Sequence, residues 1–189
     1  MYNKIIIGID QSYTRCGISV AGDGKLLKVS STSFRSCLNK TEKRKMLSSI
    51  ISKLIEQGLT KAPKVDIIVE RIRTISQGKN QKQGFGLKPD YLKSTGALIA
   101  VIVDVAYDYG VEVYSVDTRS WKAKVVGTSK GVNGDNKMPT ILFVKSLGFD
   151  VSYLSPRGLC KYDDDSADSA CIALYGFLPK HLQNLKKEE

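Results

Sequence analysis

The sequence predicts an α/β protein with a mixed five-stranded sheet flanked by helices on both faces, in one domain over residues 1–189. Two continuous apolar runs, 5–9 and 65–69, are typical of central strands buried on both faces. Segments 41–57 and 90–109 repeat apolar residues at three- and four-residue intervals, which indicates helices. Strands that alternate with helices predict a sheet covered on both sides.

The other elements are predicted from alternation, turn residues and helix-stop signals. In chain order they are a hairpin over 17–29 that turns at 22–24, a strand over 111–116, a helix from Pro139 to Gly148, a loop over 150–163, a last helix from about 164 to 178, and a frayed tail from about 182.

The charge of the chain points to a polyanionic partner. It carries 29 Lys and Arg against 19 Asp and Glu, which gives a net charge of +10 and a pI near 9.4. Nucleic acid is the leading candidate for such a partner. No stretch approaches the ~18 apolar residues of a membrane span, and the N-terminus does not resemble a signal peptide, so we expect a cytoplasmic protein.

The four cysteines and one histidine exclude two kinds of chemistry. No cysteine pair has C-x-x-C spacing and His181 lies near the C-terminus, so a zinc site is not expected. A histidine-based triad would depend on that one peripheral residue, and we discount it. The cysteines are predicted to be reduced thiols.

Two acids follow the two central strands. Asp10 ends the first apolar run and Glu70 ends the second. In open α/β sheets ligands gather at the carboxyl ends of strands, so neighbouring parallel strands would bring these two side chains together. Taken singly, either acid is better explained as a strand-end acid that caps the next turn.

The last predicted helix supplies two more acids. Asp165 and Asp168 are three residues apart and share a helix face. Helix capping explains Asp163 and Asp164 but not Asp168, whose neighbours Ala167, Ser169 and Ala170 are small. Small residues favour close packing on a sheet, which would bury the Asp168 carboxylate, and a buried carboxylate needs a cation.

Four converging carboxylates predict a divalent metal site. They would raise one another's pKa, and a cation relieves that repulsion. Oxygen ligands alone favour Mg²⁺, with Mn²⁺ as a substitute. Two such ions can activate a water and stabilise the leaving oxygen in the hydrolysis of a phosphodiester, so the predicted site indicates a nuclease.

These residues resemble a known family. Ile7-Gly8-Ile9-Asp10, Val69-Glu70 and Asp165-Ser-Ala-Asp168-Ser-Ala are similar, in order and position, to the RuvC-type Holliday junction resolvases of the RNase H-like superfamily, above all to the phage-encoded branch. The resemblance implies a Mg²⁺-dependent homodimer that cleaves four-way and other branched DNA. It implies that Asp10, Glu70, Asp165 and Asp168 ligate the metal, although Asp164 is an alternative to Asp165.

The resemblance extends to two lysines. Lys122 precedes a Val-Gly pair, as a family lysine does, and Lys137 resembles a second family lysine just before a helix. It implies that both bind phosphate and stabilise transition-state charge. Lys130 competes with Lys137 for the second role. One departure from the family is Gln11, which stands where a proline usually follows the first aspartate.

The segment from Arg71 to Lys88 is basic, rich in glycine and adjacent to Glu70, which favours contact with a DNA backbone. The predicted DNA-binding residues are Arg15, Arg71, Arg73, Lys79, Lys82, Lys88, Arg119 and Lys130. The apolar residues of helix 90–109 lie on more than one face, which is compatible with a homodimer interface and equally with simple burial.

Three other classes fit parts of the sequence. An actin-like kinase shares the Gly-Ile-Asp-Gln opening, but such kinases need two domains and the chain has only 189 residues. Another RNase H-like nuclease, such as an RNase H or transposase relative, has a compatible order of acids. A non-catalytic branched-DNA binding protein would not need the complete set of acids.

Overall fold

The computed structural model describes residues 1–72, 89–128, 135–154, 160–178 and 183–185. Its strands are β1 (Ile5–Asp10), β2 (Arg15–Gly22), β3 (Lys25–Ser33), β4 (Val65–Glu70), β5 (Glu112–Val116), β6 (Ser152–Leu154), β7 (Cys160–Tyr162) and β8 (Gln183–Leu185). Its helices are α1 (Lys40–Leu59), α2 (Pro89–Asp108), the single turn α3 (Thr118–Trp121), α4 (Met138–Ser146) and α5 (Asp164–Tyr175), with a π-helical turn, Lys122–Val126, directly after α3.

The main sheet is mixed, as predicted. Its strand order is β3-β2-β1-β4-β5-β8, in which β1 pairs parallel with β4 and β4 parallel with β5. The β1–β2, β2–β3 and β5–β8 pairs are antiparallel. Strands β1, β3, β4 and β5 therefore end at one edge of the sheet, which we call the carboxyl edge.

Helices cover both faces of this sheet. Alternate residues of β1 and β4, including Ile7, Ile9 and Val69, pack with α1 and α2 in one buried cluster. The intervening residues, including Ile6 and Ile68, pack with α4 and α5 in a second cluster. The two-residue period of a strand thus decides which helices each side chain meets, and the predicted fold class is confirmed.

Three segments differ from the sequence prediction. The predicted loop 150–163 contains the short antiparallel pair β6–β7, and the last helix ends at Tyr175 rather than at residue 178. In the predicted frayed tail, Gln183–Leu185 form β8 along β5, which adds a sixth strand to the expected five. Pairing with an open sheet edge satisfies backbone groups that a free tail would leave to water. Within the described ranges, no helix is long and apolar enough to cross a membrane.

Candidate active site

Strand alternation directs Asp10 and Glu70 to the same face. Their neighbours Ile9 and Val69 are paired across β1 and β4 and lie in the cluster with α1 and α2. Successive side chains of a strand point to opposite faces, so Asp10 and Glu70 point toward α5. Both lie at the carboxyl edge on adjacent parallel strands, as the sequence predicted.

Two glycines allow α5 to approach that face. A Cβ on Gly8 would lie 2.3 Å from the carbonyl oxygen of Ser169, and one on Gly17 would lie 1.8 Å from that of Asp165. Both distances are impossible for real atoms, so only glycine fits at these positions. Gly17 pairs with Asp10 across β1 and β2. The first turn of α5 is therefore pressed against the strand end that carries Asp10.

The start of α5 is held by Asp163, its N-cap. The Asp163 carboxylate accepts hydrogen bonds from the backbone N–H of Ser166 at 3.2 Å and from the Ser31 hydroxyl at 2.5 Å. It also pairs with Arg15 at 3.3 Å, and the Arg15 guanidinium lies 3.8 Å from the ring centroid of Tyr153. Arg15, predicted to bind DNA, thus ties β2 to the helix cap.

The four predicted carboxylates act on one another. The pKa of Asp10 is raised well above its usual value, first by burial and then by the charges of Glu70, Asp168 and Asp165 in that order, with a smaller effect of Asp164. Glu70, Asp165 and Asp168 therefore all lie close enough to Asp10 to oppose its ionisation.

Asp168 and Asp165 share this behaviour. Burial raises the pKa of Asp168 to about 7; Lys122 opposes this rise and Glu70 adds to it. Burial and the charges of Asp164 and Asp163 raise the pKa of Asp165 to about 6. Among the described residues, the buried Asp168 Oδ1 has no hydrogen-bond partner. An orphaned carboxylate oxygen beside further acids is a feature that a cation would satisfy.

The two predicted site lysines lie beside these acids. Lys122 Nζ is 4.0 Å from Asp168 Oδ2 and donates to the carbonyl oxygen of Asn136 at 3.3 Å. Lys137 Nζ pairs with Asp164 Oδ2, and that hydrogen bond raises the pKa of Lys137. Lys137 reaches the site from the residue that precedes α4, and Lys122 from the π-helical turn.

Two further residues hold Glu70, and sequence reasoning gave neither a role. The Gln11 side-chain amide donates to the main-chain carbonyl of Glu70 at 2.6 Å and accepts from its N–H at 3.2 Å. The Thr118 hydroxyl, at the start of α3, donates to Glu70 Oε1. Gln11 could have been noticed in the sequence, because it stands where the resolvases that the sequence resembles usually have a proline after the first aspartate. Thr118 had no such signal, because only the chain path brings α3 to β4.

The donor set fits a hard divalent ion. Asp10, Glu70, Asp165 and Asp168 offer only oxygen, which Mg²⁺ and Mn²⁺ prefer. Over the described part of the chain, no three acidic, cysteine or histidine side chains are already arranged as a metal-binding cluster. Binding an ion would therefore require these carboxylates to move toward one another. A bound cation would offset their mutual repulsion and satisfy the orphaned Asp168 oxygen, and this gain would oppose the cost of that movement.

The predicted DNA-binding residues differ in where the structure places them. Arg71 follows β4, where its N–H donates to the carbonyl of Val116 at 2.7 Å and its Nε to the Ser115 hydroxyl at 3.5 Å. Arg119 is exposed on α3. The predictions for Arg73, Lys79, Lys82, Lys88 and Lys130 lie outside the described residues. Of the cysteines, Cys16, Cys37 and Cys171 are free thiols, as expected.

The mixed sheet and the helices on its two faces form an α/β fold of the RNase H-like kind. No family model and no curated protein matches the chain. The chain does resemble two solved structures of RuvC. RuvC of T. thermophilus in complex with a Holliday junction substrate has a TM-score of 0.64 at 16% identity, over 97% of this chain and 100% of that one. A second Thermus thermophilus RuvC structure has a TM-score of 0.62 at 17% identity, over 96% and 99% of the two chains. The fold is therefore RuvC-like.

Proposed function

We propose that this protein is a metal-dependent, structure-selective endonuclease that hydrolyses phosphodiester bonds in Holliday junctions and other branched DNA. The observation that carries the proposal is the group of four carboxylates at the carboxyl edge of a RuvC-like fold, where Glu70, Asp168 and Asp165 each raise the pKa of Asp10. The net charge of +10 supports a polyanionic substrate.

In this proposal Asp10, Glu70, Asp165 and Asp168 hold two Mg²⁺ ions, for which Mn²⁺ can substitute. Bound there, the ions would activate a water and stabilise the leaving oxygen of the phosphodiester. Asp165 is favoured over Asp164 as a ligand for two reasons. It affects the pKa of Asp10 more strongly, and Asp164 is already paired with Lys137.

Lys122 and Lys137 are proposed to bind the scissile phosphate. Each lies within an ion-pair distance of an α5 acid, so each presents a cation at the edge of the carboxylate group. Positive charge at that place would stabilise the negative charge that develops on phosphate oxygens. Between Lys137 and its competitor Lys130, the contact with Asp164 favours Lys137.

The substrate and assembly follow from the resemblance. One RuvC with this fold is bound to a Holliday junction substrate, and a symmetric four-way junction would suit a homodimer that makes paired cuts. On α2, Val101 and Val103 are only partly buried and Tyr107 is exposed, which is compatible with an interface. The phage-encoded branch and a cytoplasmic location stay predictions from the sequence.

One cleavage assay tests the function. Wild-type protein is incubated with a synthetic four-way junction, a flap, an RNA–DNA hybrid and linear duplex, with Mg²⁺, Mn²⁺ or EDTA, and the cuts are mapped. Paired metal-dependent cuts near the branch point are expected. Preferential cutting of the hybrid would instead favour an RNase H relative. Junction binding without cutting in either metal would favour a non-catalytic branched-DNA binding protein.

A further inference from the structure

Helix α1 has several basic residues in its first turns, the end of a helix where the backbone dipole disfavours positive charge. Lys40, Lys43 and Arg44 lie there, Glu42 is the acid of the first turn, and the last turn has no basic residue. The helix dipole favours acids at the N-terminus and bases at the C-terminus. Helix stability therefore does not explain this arrangement, and an external anion would.

The acid of this turn is engaged in capping. Glu42 accepts hydrogen bonds from the N–H of Leu38 at 2.8 Å and from the Asn39 amide at 3.3 Å, while Asn39 accepts from the N–H of Glu42 at 2.9 Å. This reciprocal cap turns the Glu42 carboxylate toward the residues that precede the helix. The cations nearby are left facing solvent, and Arg35, Lys40 and Arg44 are all exposed.

These cations lie at the same sheet edge as the proposed active site. Strand β3 ends at Ser33 on the carboxyl edge, and α1 begins at Lys40. Lys43 Nζ donates to the carbonyl oxygen of Tyr13 at 2.9 Å, and Arg44 Nε donates to the Tyr13 hydroxyl at 3.4 Å. Tyr13 is three residues after Asp10. At no more than about 3.6 Å per residue, its Cα lies within about 11 Å of that of Asp10.

We propose that Arg35, Lys40, Lys43 and Arg44, here called the α1 surface, bind the phosphate backbone of a duplex DNA arm as it leaves the active site. The inference rests on the proposed function and names contacts additional to the basic residues predicted from the sequence. Successive phosphates of one strand are about 3.4 Å apart along the axis, so we place the bound phosphates within about five nucleotides of the cut.

The chemistry suits a duplex backbone. Flexible cations on one exposed surface match a row of phosphates and carry no base specificity. On one side the surface borders a groove between α1 and α2 that is lined by Arg44, Lys45, Asp104 and Asp108, among others. Because two acids balance two cations there, the groove offers DNA no net positive charge, and we place the arm on the Tyr13 side.

A pair of matched variants tests the α1 surface. The first carries Arg35→Gln, Lys40→Gln and Arg44→Gln. The control carries Lys28→Gln, Lys53→Gln and Lys61→Gln, which are also exposed and lower the net charge equally. Lys28 and Lys61 lie near Ile5, the first residue of β1, and so at the opposite edge. Thermal denaturation first establishes that both variants are folded.

Junction affinity is then measured in EDTA as a function of salt. Each lost phosphate contact lowers the slope of log affinity against log salt by about 0.9. We expect the α1 variant, which lacks three cations, to lose up to about 2.7 units of slope and at least about tenfold in affinity near 0.1 M salt. The control should lose much less. Equal losses in the two variants would overturn the α1 surface, because general charge would then explain the effect.

Neutral phosphates locate the contact on the DNA. Methylphosphonates are placed within about five nucleotides of the cut in one arm of the junction. They should weaken wild-type binding but add little to the defect of the α1 variant, since both changes remove the same contact. Additive losses would overturn the proposal. If the wild type binds the junction and cuts nothing, the nuclease function fails, while the salt dependence of the two variants still decides whether the α1 surface binds DNA, because that measurement does not depend on a cut.

Discussion

Gln11 joins the ends of β1 and β4 by bonding to the main chain of Glu70. The backbone pairing of the two strands ends at Ile9 and Val69. One residue beyond Asp10, the Gln11 amide donates to the Glu70 carbonyl at 2.6 Å and accepts from the Glu70 N–H at 3.2 Å. Gln11 is only 5% exposed. The Gln11 side chain thus continues the hydrogen bonding between β1 and β4 beyond the last backbone pair, Ile9 and Val69.

Replacing Gln11 tests this link. Gln11→Met keeps the length of the side chain but leaves both Glu70 main-chain groups unpaired, which should cost about 1–3 kcal/mol of stability. In the proposed nuclease, junction cleavage should fall at least about tenfold, because Asp10 and Glu70 lose their fixed spacing. Junction affinity in EDTA should not change. The control is Gln57→Met on the exposed face of α1. Wild-type cleavage by Gln11→Met would show that the link is dispensable.

The stability of the metal-free protein should fall as the pH rises from about 4 to about 7. Burial raises the pKa of Asp168 to about 7 and that of Asp165 to about 6, from a usual value of 3.8. In this range the folded protein binds more protons than the unfolded chain, so the free energy of unfolding decreases with pH. The stabilising contribution of these two carboxyl groups is complete below the pKa that they have in the unfolded chain. It is lost as the pH rises through their higher pKa in the folded protein.

Thermal denaturation in EDTA across this range measures the effect. The Tm of the wild type should drop relative to that of Asp168→Asn as the pH rises. Mg²⁺ added at pH 8 should raise the wild-type Tm, because an ion that binds only the folded state stabilises it. A wild-type Tm that follows the Asp168→Asn variant at every pH would refute the raised pKa of Asp168.

Asp168 and Asp164 should differ sharply in their effect on cleavage. Asp168→Asn should lower junction cleavage by more than about a hundredfold, because metal ligation contributes several kcal/mol to such reactions. Asp164→Asn removes a partly exposed pair with Lys137 and a charge that opposes the ionisation of Asp165, but no proposed ligand, so cleavage should stay within about threefold of wild type. Initial cleavage rates at saturating Mg²⁺ compare the two. The opposite ranking would transfer the ligand role to Asp164.

Lys122 should affect both the rate of cleavage and its pH dependence. The lysine lies 4.0 Å from Asp168 and opposes the rise of that carboxyl's pKa. Lys122→Gln should therefore raise the Asp168 pKa further, so that higher pH is needed for the same Mg²⁺ affinity. The maximal rate should also fall by about a hundredfold, the usual cost of losing one charge-stabilising group. Lys124→Gln, an exposed neighbour, is the control. If Lys122→Gln cleaves with the same pH dependence as the wild type, Lys122 does not act on the Asp168 carboxyl.

Alanine should have opposite effects at two glycines. Gly17→Ala places a Cβ 1.8 Å from the Asp165 carbonyl, so α5 must shift; we expect a loss of about 1–3 kcal/mol and of cleavage. Gly96→Ala in α2 meets nothing within 4 Å and should stabilise the protein by about 1 kcal/mol, since alanine favours helix. Chemical denaturation measures both. Equal effects would mean that α5 does not pack as closely as described.

Most of the fold could be predicted from local pattern. The apolar runs 5–9 and 65–69 became β1 and β4, and the periodic segments became α1 and α2. Strand β8 could not be predicted, because its pairing depends on the open edge that β5 offers. The β6–β7 pair was missed for a similar reason, since three-residue strands carry too little pattern to distinguish them from loop.

The candidate site also has one part that could be predicted from the sequence and another that could not. Strand alternation and helix spacing predicted where Asp10, Glu70, Asp165 and Asp168 each lie on their own strand or helix, since that depends on the geometry of a single element. That the four acids meet depends on the pairing of β1 with β4 and on the packing of α5. Thr118 could not be found, because it reaches Glu70 only through the path of the chain after β5. The pair between Arg15 and Asp163 could not be found either, because the two residues lie far apart in the chain; the predicted DNA contact of Arg15 stays a prediction.

The sequence by itself determined the five longer strands, the main helices and the alternation that sends each strand-end acid to the face opposite its apolar neighbour, because periods of 2 and 3.6 residues are local properties of the chain. The tertiary structure decided which side chains hold those acids in place. The bonds from Gln11 to Glu70 and from Arg15 to Asp163 join residues far apart in the chain. Such pairs become neighbours only when β1 and β4 pair and α5 packs against β1 and β2, and no local pattern encodes that packing.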